Sequence, residues 1–378
     1  MKRLLLIAAG AILVLVIAAV YVLRPAEFEP AGDESVRWSA RGSHGVLDLP
    51  FVAIDEARPT AANGDYPGAP TRRLAGRIWS PDAPVPGASP IVLYSHGFMS
   101  SHAEGEYLGR FLASHGYTTV AVDYPLSNGS APGGPLVVDV INQPEDLSFV
   151  LDQLLGRNAT PGDVLYQTLD PDRVVAVGLS LGGLTTELAA FHPELGDSRI
   201  KAAVSIAGPT ANLTRRFFEW RNLPFLMLAG ELDAIVPYAE NALPILQKAP
   251  GATLVTLEAA SHTGFAAMAA GPFRFVNHPD EMVCGMLMQN LANGGERPLF
   301  LDDPEVGIVG RSDAVPCSMT TFERAMRPPE QIAYMRLVVF SFLESVLATS
   351  PARRTDAASF LHGQLQQENP KVRVVTSP

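Results

Sequence analysis

From residue 91 to residue 257 the chain alternates short apolar runs with stretches of helical periodicity, a pattern that few folds can satisfy. The apolar runs fall at residues 91–94, 118–122, 174–177, 202–206, 225–229 and 253–257. Between them, residues 103–115 place Tyr107, Leu108, Phe111 and Leu112 on one helical face. Residues 146–155 do the same with Leu147, Val150, Leu151 and Leu154, and further helices are expected over 184–191 and 239–247. A strand that is apolar on both sides must be covered on both sides, and strands joined through helices run parallel. The expectation is an α/β fold, with a mostly parallel, doubly covered sheet. Two more strands are expected at 49–54 and 74–79, separated by the turn-rich ANGDYPGAP, and a closing helix at 332–347.

Two regions break the alternation. Residues 266–329 are long, turn-rich and irregular, and an insertion of that length in a compact domain is usually a functional loop or lid. From Thr349 onward Ser, Thr, Pro and charged residues dominate, which reads as a flexible tail. The expected organisation is therefore an N-terminal membrane anchor or signal segment at 1–24, one domain at 25–348 with its insertion at about 266–329, and a tail at 349–378.

The N-terminal segment fixes the expected compartment. Met1, Lys2 and Arg3 precede an uncharged run over residues 4–23. As a helix such a run spans about 30 Å, the thickness of a hydrocarbon core. Its end, Val20-Tyr21-Val22-Leu23, lacks the small-x-small pattern of a cleavage site, which favours an uncleaved anchor. Positive charge ahead of the run leaves the N-terminus in the cytoplasm and the remainder outside. If the segment is cleaved, the domain is secreted or periplasmic. In an oxidising compartment the only two cysteines, Cys284 and Cys317, are expected to pair, the alternative being two buried thiols. With 28 basic against 39 acidic residues the net charge is −11, which argues against nucleic acid as a partner.

The most specific local signal is Gly178-Leu179-Ser180-Leu181-Gly182-Gly183, set after an apolar strand and ahead of a helix. That is the context a G-x-S-x-G nucleophile elbow requires, because the turn is strained and has no room for β-carbons. The alternative is a plain glycine turn. A serine nucleophile needs a base, and the base needs an orienting acid. Asp233 follows the strand at 225–229 and His262 follows the strand at 253–257, so both loops lie at the carboxyl edge where Ser180 emerges. Glu231 competes with Asp233 for the acid role; Asp233 alone could cap the turn near Pro237, and His262 alone could be a packed histidine. After the strand at 91–94, Ser95-His96-Gly97-Phe98 offers the Phe98 N–H as one oxyanion donor, with the Leu181 N–H as the other. His96 is expected to order this loop and not to act as a second base.

These segments (SHGFMSSHAEGEYLGRFLASHGYTTVAVDYP, NQPEDLSFVLDQLL, GLSLGG, GELDAIVP and SHTGF) resemble the α/β-hydrolase superfamily. They are most similar to its bacterial predicted dienelactone hydrolases, which are related to platelet-activating-factor acetylhydrolases. The resemblance covers roughly residues 50–265 and the last helix. It implies an α/β-hydrolase fold and a serine esterase with Ser180 as nucleophile, Asp233 as acid and His262 as base. True dienelactone hydrolases carry a cysteine nucleophile where this chain has Ser180, so the resemblance does not extend to their substrate.

Six of the ten methionines (Met268, Met282, Met286, Met288, Met319 and Met326) lie in the insertion. Methionine suits adaptable apolar surfaces, and it also serves as ordinary core filler. The expected function is hydrolysis of carboxylic esters, apolar or lipid-like acyl esters being favoured, with a small-molecule or lipid-like ester as partner and the membrane as a second partner. An acyltransferase with the same triad and a non-catalytic, membrane-tethered binding module are the alternatives. No H-E-x-x-H, Walker A or dinucleotide motif is present, so neither a metal nor a cofactor is expected.

Overall fold

The computed structural model describes residue 24 and residues 26–292, 302–310 and 314–378. The apolar run at 4–23, expected as a membrane segment, lies outside them. Among the described residues no helix is long and apolar enough to cross a membrane.

The elements follow in chain order as α1 (Asp33–Ser39), β1 (Val46–Asp55), β2 (Arg72–Pro81), β3 (Ser89–Ser95), α2 (Glu106–Ser114), β4 (Thr118–Asp123) and α3 (Gln143–Ala159). Next come β5 (Leu169–Leu179), α4 (Leu181–Phe191), β6 (Ile200–Ile206), α5 (Arg215–Glu219) and β7 (Phe225–Gly230). Then follow α6 (Tyr238–Asn241), α7 (Ile245–Lys248), β8 (Thr253–Leu257), α8 (Asp280–Ala292), α9 (Pro328–Leu347), α10 (Pro351–Ser359), α11 (Leu365–Glu368) and β9 (Val372–Thr376). All eight expected strands are present; β8 has the expected bounds and the others are longer by one to several residues. The helix expected at 239–247 is split into α6 and α7, with Pro244, which has no N–H to donate, between them.

The nine strands form one sheet in the order β1-β2-β4-β3-β5-β6-β7-β8-β9. β4, β3, β5, β6, β7 and β8 run parallel, while β1, β2 and β9 are antiparallel additions at the two edges. Successive residues of each central strand feed opposite cores. Leu93, Ala176 and Met227 pack with Leu147, Leu151, Leu184 and Leu188 of α3 and α4 on one face. Val92, Val177 and Leu228 pack with Leu108 and Leu112 of α2 and with Leu337 and Phe340 of α9 on the other. This is the α/β-hydrolase arrangement, and it delivers the loops after β3, β5, β7 and β8 to one edge.

Beyond Thr349 the structure corrects the sequence reading. The expected flexible tail folds as α10, a π-helical turn at Phe360–Gln364, α11 and β9, which pairs antiparallel with β8. Its apolar residues are sparse enough for polar composition to hide them. Phe360, Leu361 and Leu365 are nonetheless buried, and the Phe360 ring stacks on Trp38 of α1 at 5.4 Å. The Glu368 carboxylate accepts the Glu34 and Ser35 backbone N–H groups at 3.1 and 2.7 Å, and Asn369 donates to the Ser35 hydroxyl at 2.7 Å. Truncating Phe360 to Ala should therefore cost about 3–5 kcal/mol in urea unfolding, as for a buried core aromatic. A loss below about 0.5 kcal/mol, the surface norm, would mean the segment is not part of the core.

Candidate active site

Of the seven non-glycine residues with positive φ among the described residues, four lie at the carboxyl edge of the sheet. Met99, Ser180, Ala207 and Ala259, in the turns after β3, β5, β6 and β8, have φ values of 62°, 57°, 48° and 55°. None is glycine, so each conformation costs energy that the surrounding fold must supply. Ser180 occupies the strand-to-helix turn with ψ of −120°. Its N–H donates to the Ile206 carbonyl at 2.8 Å, which ties the turn to the end of β6. Around it a β-carbon on Gly178 would come within 2.0 Å of the Gly182 carbonyl oxygen, and one on Gly182 within 2.0 Å of the Ser95 carbonyl oxygen. Those approaches require glycine, which accounts for the G-x-S-x-G-G spacing. Ser180 itself is only partly buried at the start of α4.

Asp233 and His262 meet across the edge. Asp233 Oδ2 lies 2.7 Å from His262 Nδ1, with both residues buried. The other carboxylate oxygen accepts the Ile235 and Val236 N–H groups at 2.9 and 2.7 Å. Asp233 thus caps its turn with one oxygen and holds the imidazole with the other. Glu231 points away and pairs with Arg373 of β9 at 2.7 Å. Burial raises the Asp233 carboxyl against the pull of the imidazole. Burial also opposes charge on His262, but the charge and hydrogen bond of Asp233, aided by Asp280 and Glu104, outweigh it and raise the imidazole above its ordinary value.

The loop after β3 is braced from behind. The Tyr124 N–H donates to His96 Nε2 at 3.2 Å, so the ring proton sits on Nδ1, which donates to the Gly97 carbonyl at 2.7 Å. Both nitrogens of this buried ring are engaged by backbone, and burial lowers its basicity. No acceptor among the described residues pairs with the Phe98 or Leu181 backbone N–H. Gly97 brings the loop against the elbow: a β-carbon there would lie 3.4 Å from the Ser180 β-carbon and 3.5 Å from Glu104 Oε2.

Two carboxylates were not singled out by the sequence. Glu104 Oε1 accepts the Gly97 N–H at 3.0 Å and the Tyr94 hydroxyl at 3.1 Å, and burial raises its carboxyl. Asp280, at the start of α8, accepts backbone N–H groups from the loops that carry Asp233 and His262. Neither has a local motif: the partners of Asp280 lie 17 to 46 residues away, and Glu104 meets Tyr94 and Gly97 only through the turn after β3. Gln331 of α9 completes the support, donating to the Ser261 carbonyl at 2.6 Å and accepting the Ser261 N–H at 3.2 Å. Cys284 and Cys317 form the expected disulfide, with an S–S distance of 2.02 Å.

With this geometry in hand, relatedness to known proteins becomes informative. Residues 71–273 match the family described as PETase: PET hydrolase-like, which is more than half of the 378-residue chain. The chain belongs to the PET hydrolase-like family. The matched stretch holds Phe98, Ser180, Leu181, Asp233 and His262, and stops short of Asp280 and both cysteines. The resemblance to the α/β-hydrolase superfamily is thus borne out and narrowed to this family. Among individual proteins, 20-hydroxy-prefusarin hydrolase FUS2 of Gibberella moniliformis is 30% identical over 182 residues, 47% of this chain and 40% of that protein. Cutinase 1 of Thermobifida cellulosilytica is 25% identical over 181 residues, covering 45% and 59%. The cutinase of Thermobifida fusca is 25% identical over 181 residues, covering 45% and 52%. The chain spans about half the length of these relatives.

The carboxylates around His262 make its titration a direct check on the geometry. By NMR its imidazole should titrate above the ordinary value of about 6.5, and Asp233→Asn should bring the midpoint down. A wild-type midpoint below 6.5 would mean that burial, and not the Asp233 contact, governs the ring.

Proposed function

We propose that this protein is an exported serine hydrolase that cleaves carboxylic esters through an acyl-enzyme. Ser180 is the nucleophile, His262 the general base and Asp233 the acid that orients it, with the Phe98 and Leu181 amides as oxyanion donors. The observation that carries this reading is the 2.7 Å contact between Asp233 and His262 at the same sheet edge as the strained Ser180 turn. In this reading Asp233 accepts the Nδ1 proton, which leaves Nε2 free to take the Ser180 proton as the hydroxyl attacks the ester carbonyl. The Phe98 and Leu181 N–H groups then stabilise the oxyanion, each worth about 3–4 kcal/mol of barrier. His262 returns the proton to the leaving alcohol, and water repeats the sequence on the acyl-enzyme. His262 must be neutral to act as base, so the raised imidazole moves the acidic limb of the rate profile upward in pH.

An apolar ester is the favoured substrate. Met268, Met282 and Met286 of the insertion are more than half exposed, at 71%, 53% and 54%, as is Met99 beside Phe98 at 57%. Flexible apolar side chains on the insertion that follows His262 suit an acyl or aryl group better than a charged one. The cutinase names of the relatives point the same way. Export is supported by the disulfide, which persists in oxidising compartments.

A fluorophosphonate probe should label the wild type and fail to label Ser180→Ala, while circular dichroism shows both folded; labelling of the variant would overturn the nucleophile assignment. On p-nitrophenyl esters of graded acyl length, Asp233→Asn should lower kcat by about 10⁴-fold and Glu231→Gln by less than about twofold. The reverse ranking would move the acid to Glu231. A steep preference for the shortest acyl chain would count against an apolar acyl site.

A further inference from the structure

The Asp280 carboxylate is fully buried and spans two loops at once. Oδ2 accepts the N–H of Ala234 at 3.1 Å and of His262 at 2.9 Å, and Oδ1 accepts the N–H of Thr263 at 2.7 Å. Ala234 follows the acid directly, and His262 is the base. One turn further along α8, Cys284 lies on the same helical face and is bonded to Cys317. The Cys317 N–H donates to the Ala234 carbonyl at 2.6 Å. Both backbone groups of Ala234 are therefore held by the insertion, one by Asp280 and the other by Cys317, and those two holds are joined through the disulfide.

We propose that Asp280 is a positioning residue of the triad, whose carboxylate sets the Asp233 and His262 loops relative to each other while the Cys284–Cys317 bridge keeps its helix in place. This deepens the triad reading and rests on it. A group capping only its own helix would point its oxygens at α8; these oxygens meet amides of two other loops. Three N–H donors converge on an acceptor, and an asparagine would turn its own N–H₂ toward one of them. The Asp280 charge also acts on the ring. The groups that bear on His262 are Asp233 from the loop after β7, Asp280 from α8 and Glu104 from the turn after β3. All three favour the imidazolium that forms during the reaction.

The test is Asp280→Asn in the full chain, with p-nitrophenyl butyrate as substrate. Displacement of the base by a fraction of an ångström should lower kcat by about 10- to 100-fold with KM nearly unchanged. Loss of the charge should move the acidic limb of kcat/KM to lower pH. A variant that loses only thermal stability, with wild-type kcat and limb, overturns the proposal. Should Asp280→Asn not fold, Asp280→Glu decides: it keeps the charge but not the reach. The expected result is an unmoved limb with kcat down at least about fivefold, and wild-type kcat overturns the proposal. Fluorophosphonate labelling of the wild type separates the two readings, because an unlabelled wild type defeats the triad itself, whereas a labelled wild type with an indifferent Asp280 variant defeats only this inference.

Discussion

The architecture of the site depends on how closely α4 descends onto the end of β5. At Gly178, Gly182 and Gly183 the backbone of the turn touches its neighbours with no space for a β-carbon, the last against Gly208 and the Ser205 hydroxyl. That approach seats the helix over the sheet, forces Ser180 into its positive-φ conformation and brings the end of β3 alongside. Everything that surrounds Ser180 then follows from parallel topology. Strands β3, β5, β7 and β8 all end at this edge, so groups from four separate loops converge without any of them being near in sequence.

Because periodicity and glycine placement are local signals, the sheet and the elbow were legible in the chain. The order Ser180, Asp233, His262 was legible for the same reason, since each residue follows a recognisable strand. The order pointed to Asp233, but nothing local separates it from Glu231. Two carboxylates in one short turn differ only in the direction the turn gives them, and that depends on the Ile235 and Val236 amides that capture one Asp233 oxygen. Arg373, which holds Glu231 outside, comes from β9, a strand the sequence reading did not expect. The tail was missed because its polar residues are frequent and its core residues few. Phe360 reads as core only once Trp38, over three hundred residues earlier, is beside it.

The insertion divides by function along its length. Its first helix reaches inward through Asp280 and Cys284, while residues 302–310 lie on the loop after β6, where Ile308 bridges Leu213 and the Val309 N–H donates to the Asn212 carbonyl at 2.9 Å. Irregular sequence hid this order, since the contacts run to other parts of the chain and leave no period. The same lack of periodicity leaves exposed methionines on a segment whose backbone is anchored at several points. Adaptable side chains on a fixed frame allow the surface of the insertion to vary in shape while its backbone does not.

The pairing of α1 with the segment around Glu368 has a consequence for the order of assembly. Ser35 and Glu368 are separated by 333 residues, and their bonds have no local substitute. As synthesis proceeds from the N-terminus, the Ser35 amide and hydroxyl wait for their partner until residue 368 has been made. The edge of β8 waits likewise for β9. Helix α1 is thus among the last of the described elements to be fully docked: Trp38 can meet Phe340 of α9 first, and the ring that stacks on it, Phe360, follows only later.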